Sequence, residues 1–157
     1  MVLCEIRQNQ TKIFTYRKNY AIIIEKLVRG RTMKQRDFIT IPIENRYYGR
    51  KPFKPGKLIM LTKDKENEAD SEAIKVSIPG IDIIGYVANS VTTVYSGTLS
   101  AGRLYDKFDE VTYAVVAFVT RAGVIAGILE KDEFEGKEFN EIEALLEKEI
   151  HTFYKHN

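Results

Sequence analysis

Between Arg46 and Tyr86 three short motifs follow one another, and their residue types suit the holding of a single nucleic-acid strand. The first, Arg46-Tyr47-Tyr48-Gly49, leads straight into Arg50, Lys51, Phe53, Lys54 and Lys57, so that rings and cations alternate. The second, Asn67-x-x-Asp70-x-x-Ala73-Ile74-x-Val76, is a polar loop running into an alternating strand. The third, Ile84-Gly85-Tyr86, closes the next strand. Rings stack on bases of any identity, cations neutralise phosphates, and a few polar groups position the strand.

Each group also has a plainer explanation. Tyr47 and Tyr48 are adjacent, so on a strand they face opposite sides, one into the core and one outward for stacking. Arg46, Arg50, Lys51 and Lys54 are natural phosphate contacts, and a solvated strand end accounts for them nearly as well. A carboxylate such as Asp70 repels phosphate but accepts a hydrogen bond from a free 3′-OH, so it could tell an end from a continuous strand. Alternatively, Asn67 and Asp70 only brace a tight loop through side-chain-to-backbone bonds. Asp64, Glu66, Glu68, Asp70 and Glu72 could hold Mg²⁺ for a nuclease, or they could be solvated loop charge.

Other chemistry finds little support. No Gly-rich phosphate loop followed by Lys-Ser/Thr is present, so no nucleotide-hydrolysis engine is expected. Cys4 has no evident base partner, and His151 and His156 lie at the C-terminal end. One cysteine and two histidines make neither a disulfide nor a structural zinc site. The expectation is a non-enzymatic protein with no cofactor and no metal.

At 157 residues, with 44% hydrophobic and 29% charged residues, the chain has the composition of one globular domain. No apolar run approaches a membrane span and no signal peptide is evident, which points to the cytoplasm. Net charge is +2 but unevenly spread. Residues 1–50 carry 11 Lys/Arg against 4 Asp/Glu, residues 51–110 carry 8 against 9, and residues 111–157 carry 5 against 9. A basic face from the N-terminal third and an acidic C-terminal tail follow.

These motifs need elements to position them. Ile13, Tyr16, Tyr20, Ile23, Ile24 and Leu27 fall at helical spacing with Gly30 as cap, against a competing hairpin at Lys18-Asn19. Residues 29–36 read as a basic connector. Ile39, Ile41 and Ile43 then alternate as a strand that Pro42 places at an edge or a strand start. Residues 58–61, 74–78 and 81–87 are further strands around a polar loop at 64–72. A short helix and loop fill 90–104, and 111–120 with 124–129 form a hairpin. Phe139, Ile142, Leu145, Leu146, Ile150 and Phe153 mark a C-terminal amphipathic helix. This is a mainly β (α+β) chain, a modified OB-like small β-barrel over 37–130, with flanking helices in 1–36 and 131–157.

The ordered set Tyr47-Tyr48-Gly49, Asn67-x-x-Asp70-x-x-Ala73-Ile74-x-Val76 and Ile84-Gly85-Tyr86 resembles the HIRAN domain. Val87-Ala88-Asn89-Ser90 and Ser100-Ala101-Gly102-Arg103-Leu104-Tyr105-Asp106 look like the short, free-standing bacterial version. The resemblance covers roughly residues 37–130 and implies a modified oligonucleotide-binding barrel that captures the 3′ end of single-stranded DNA. By position it implies that Arg46 and Tyr47 lie on the binding strand, that Asn67 is the loop asparagine and that Asp70 is the acid that meets the terminal hydroxyl. It likewise places Tyr86 after the strand-ending glycine and Asn89 against the backbone. The chain departs from the pattern where Glu68 and Ala69 replace a Pro-Tyr pair, and where Asn89 replaces a lysine. The partner expected is single-stranded DNA, with RNA the other nucleic-acid candidate. The alternative is a protein-interaction or inhibitor module acting on a DNA-processing protein.

Overall fold

A computed structural model describes residues 36–155. The helix-or-hairpin segment at 13–27 and Cys4 lie outside the described residues. Among the described residues six strands form one sheet: β1 Phe38–Pro42, β2 Leu58–Lys63, β3 Ile74–Ile78, β4 Ile81–Tyr86, β5 Val111–Val119 and β6 Gly123–Ile128. All neighbours are antiparallel, in the order β1-β6-β5-β2-β3-β4. Among the described residues three helices accompany them: α1 Ala101–Tyr105, α2 Lys131–Phe134 and α3 Phe139–Lys155. The fold is therefore mainly β, and the β-branched alternation at 39–41 and 74–76 forms strands as expected.

The sheet curls into a half-barrel, so its two edge strands, β1 and β4, approach one another. The approach is possible because Gly85 has no side chain. A Cβ there would lie 3.1 Å from Ile41 Cγ2 and 3.8 Å from Phe53 Cζ. Ile39, Leu61, Ile74, Val76 and Val116 fill the concave side, and Ala101 and Leu104 of α1 are buried against them. The Ser100 hydroxyl caps α1 by accepting from Arg103 N at 3.3 Å.

The outer edge of β1 is covered by the chain itself. Phe38 O accepts from Leu99 N at 2.7 Å, and Thr40 O accepts from Ala88 N at 2.8 Å. The buried Thr40 hydroxyl accepts from Tyr95 N at 3.1 Å and meets the Thr98 hydroxyl at 2.9 Å. Pro42 is the last residue of β1 and sits on an edge strand, where its lack of an N–H costs no ladder bond to β6.

On the convex side, Leu58, Val115 and Ala117 pack under Leu129 and Ile142. Tyr113 meets Phe134 of α2 edge-on, with centroids 5.1 Å apart. Helix α3 follows the expected stripe at Phe139, Ile142 and Leu146, but Leu145 is 43% exposed. Ile150 and Phe153 have side chains outside the described part. The four-residue α2 was not expected from the sequence; Glu130 and Glu133 cap it reciprocally.

Of the connector expected at 29–36, residues 29–35 lie outside the described residues, and Arg36, at its end, is packed. Its guanidinium, 8% exposed, grips the Glu133 carboxylate through both terminal nitrogens and donates to Ile128 O at 3.1 Å. The forked donor geometry matches a carboxylate, which makes arginine the residue that can be taken into such a setting. Arg36→Met leaves Glu133 without its partner and is expected to cost about 3 kcal/mol. Thermal melting should fall by about 6–12 °C, and a loss under about 2 °C would show that the pair carries little.

Candidate nucleic-acid interface

The first aromatic motif does not lie on a strand, which corrects the sequence expectation. Asn45–Tyr47 form a single 3-10 turn, and Tyr48 follows in the left-handed region at φ 72°. Tyr47 N and Gly49 N both donate to Glu44 O, at 3.0 and 3.2 Å, and this tight closure replaces strand alternation. The two tyrosines therefore do not split between core and solvent. Tyr47 is half-buried and Tyr48 is 58% exposed, so Tyr48 is not a core residue.

The Tyr47 ring packs on Tyr86 at the end of β4, with centroids 5.8 Å apart and planes at 57°. The Arg46 guanidinium lies over the other partner, the Tyr47 ring, at 4.7 Å. Arg46 Nε also donates to Glu44 Oε2, and this hydrogen bond raises the guanidinium above its ordinary value. Arg46 is thus a charge already shared.

Tyr86 donates its hydroxyl to Asp64 Oδ2 at 2.7 Å, and Asn67 Nδ2 reaches the same oxygen at 3.4 Å. Burial, then the bond to the Asp64 carboxylate, pushes the phenol up to about 12 from 10.0. Because the folded value lies above the unfolded one, Tyr86 supports folding fully below about pH 10, and the support fades between about 10 and 12. Tyr86→Phe is expected to flatten the alkaline fall of the melting temperature across that window. An unchanged profile would mean the phenol ionises no later in the folded protein than in the unfolded chain.

The loop at 64–72 is braced by its own side chains. Asn67 Oδ1 accepts from Ala69 N at 3.0 Å and from Asp70 N at 3.1 Å. Asp70 Oδ1 accepts from Glu72 N at 2.9 Å. These are the loop-bracing roles weighed from the sequence. Asp70 Oδ2 also accepts from Asn89 Nδ2 at 2.9 Å, and Asn89 Oδ1 accepts from Gly102 N of α1 at 2.9 Å. A polar chain thus ties loop, post-β4 segment and helix together.

Contacts consequently run without a break through Arg46, Tyr47, Tyr86, Asp64, Asn67, Asp70 and Asn89. Arg50, Lys51 and Lys54 stand in the exposed segment after Tyr48 and make no ion pair among the described residues. Lys57, expected to join them, is instead paired with Glu143 of α3 at 2.5 Å. The loop acids do not converge. Asp64 faces Tyr86, Asp70 faces Asn89, and among the described residues no three His, Cys, Asp or Glu side chains could hold a metal ion.

Asp64 as partner of Tyr86, and Glu44 as partner of Arg46, were not foreseen from the motifs. The register holds the missing signal for Asp64. Its N–H bonds to Ala73 O across β3, while Tyr86 pairs with Lys75, so both reach the same face of the sheet. Fold and site together define a mainly β half-barrel with a ring-and-cation surface beside a braced polar loop. No protein-family model, no curated protein and no solved structure matches this chain. Among the described residues no helix is long and apolar enough to cross a membrane.

Proposed function

We propose that this protein binds single-stranded nucleic acid, DNA in the first place, as a non-enzymatic HIRAN-like module of the cytoplasm. One observation carries the reading: the Arg46–Tyr47–Tyr86 ladder adjoins three cations, Arg50, Lys51 and Lys54, that have no ion-pair partner among the described residues. A strand laid along this surface brings its bases against aromatic side chains and its phosphates against cations that are unpaired among the described residues. Capture of 3′ ends is a narrower form of the same proposal, in which Asp70 accepts the terminal hydroxyl. Each Asp70 oxygen already accepts one intramolecular bond and would take the hydroxyl as a further one.

A second reading, an interaction or inhibitor module for a DNA-processing protein, is favoured by that same engagement of Asp70 and by the lack of a ring at Ala69. Fluorescence anisotropy with single-stranded DNA, duplex DNA and RNA separates the two. Three phosphate contacts to a single strand give a log–log salt slope of about −2. Single-stranded DNA should bind tightest, with that slope. No binding at low salt, or binding indifferent to salt, would leave the interaction module as the reading.

A further inference from the structure

Tyr48 is a bulky residue held at φ 72°, ψ 2°, a conformation that crowds Cβ against the backbone and that glycine adopts freely. Among the described non-glycine residues it alone has a positive φ. The strain is not repaid by packing, since its side chain is among the few large apolar ones left exposed, at 58%. The backbone explains the conformation, because Tyr48 ends the 3-10 turn and Gly49 follows at φ 60°. It does not explain a tyrosine, since glycine or asparagine would close the same turn with less strain. A bulky side chain kept in a strained, exposed position points to use of the side chain itself.

Its neighbours indicate what that use is. Tyr48 lies in the chain between Tyr47, whose ring is occupied by Tyr86 and Arg46, and the cations Arg50, Lys51 and Lys54, which make no ion pair among the described residues. We infer that Tyr48 is a base-stacking platform of this surface, projecting its ring outward where a strand with phosphates on those cations would pass. The inference rests on the nucleic-acid reading above and adds a contact residue to it.

The test compares wild type with Tyr48→Phe, Tyr48→Ala and Tyr48→Gly. The probe is a fluorescein-labelled oligo-dT of about 12 nucleotides, within the span of one oligonucleotide-binding fold. Phe keeps the ring and should bind within about twofold of wild type, whereas Ala and Gly should bind about tenfold or more weakly. Thermal melting distinguishes a surface contact from a structural one. Ala keeps the Cβ crowding and should leave melting unchanged, while Gly should raise it by relieving the strain. Wild-type affinity in Tyr48→Ala, or lower melting in Tyr48→Gly, overturns the platform while leaving the nucleic-acid reading standing. A wild-type protein that does not bind oligo-dT overturns both.

Discussion

Gly85→Val is expected to lower the melting temperature by about 5–10 °C, from an overpacking cost of about 2–3 kcal/mol. A valine suits a strand on propensity grounds, so a simple tally of β formers points the other way. Geometry decides. A Cβ alone comes within 3.1 Å of Ile41 Cγ2, and the branch methyls must go further towards Ile41 and Phe53, both buried. Either the contact between β1 and β4 opens or the two side chains leave their preferred rotamers. Gly85→Ala needs only a few tenths of an ångström of give and regains some chain entropy, so its effect should stay near or below about 1 kcal/mol. Ile41→Ala removes the obstructing methyl. In a double-mutant cycle its cost and that of Gly85→Val should therefore sum to more than the cost of the pair together. Strict additivity would show that Gly85 is not where the edges are held together.

The second large effect concerns binding. Arg50→Glu, Lys51→Glu and Lys54→Glu together should weaken single-stranded DNA by about a hundredfold or more at low salt and reduce the salt slope by about 2. The three positions are exposed and make no ion pair among the described residues, so reversing them breaks none of the described pairs. Melting should stay within about 2 °C of wild type, surface charges of this kind contributing little to folding. The same reversal at Lys57 belongs to another class. It would set two carboxylates against each other at the contact between Glu143 of α3 and the segment before β2, and should disturb stability first. Unchanged affinity in the triple variant would remove this segment from the interface.

Strand placement was readable because β-branched alternation and Pro-Gly or Gly punctuation act over a few residues. Ile39 and Ile41, Ile74 and Val76, and the turn at Pro79-Gly80 needed no knowledge of distant partners. Tyr47-Tyr48 misled for the same reason. Period-two alternation fails where a 3-10 turn intervenes, and that turn is held by Glu44 O, a backbone contact that side-chain spacing does not encode. Asn67 and Asp70 announce a braced loop by residue type, but Asp64 becomes a partner of Tyr86 only through the pairing of three strands. Arg36 with Glu133, and Lys57 with Glu143, join positions far apart in the chain, so a local charge pattern shows the ions and not their pairing.

The covered edge of β1 limits how a protein partner could engage this chain. Addition of an incoming strand requires a row of open N–H and C=O groups along one sheet edge. On β1 the carbonyls of Phe38 and Thr40 are taken by Leu99 and Ala88, and Pro42, on the same alternation, brings no N–H. A peptide cannot zip onto that edge without first displacing the 88–99 segment, and a second copy meets the same obstacle. Docking by β-augmentation is thereby closed at β1, as is the runaway edge-to-edge stacking that open strands invite. At this edge a recruited protein must grip side chains, where single substitutions can tell it apart from a nucleic-acid strand.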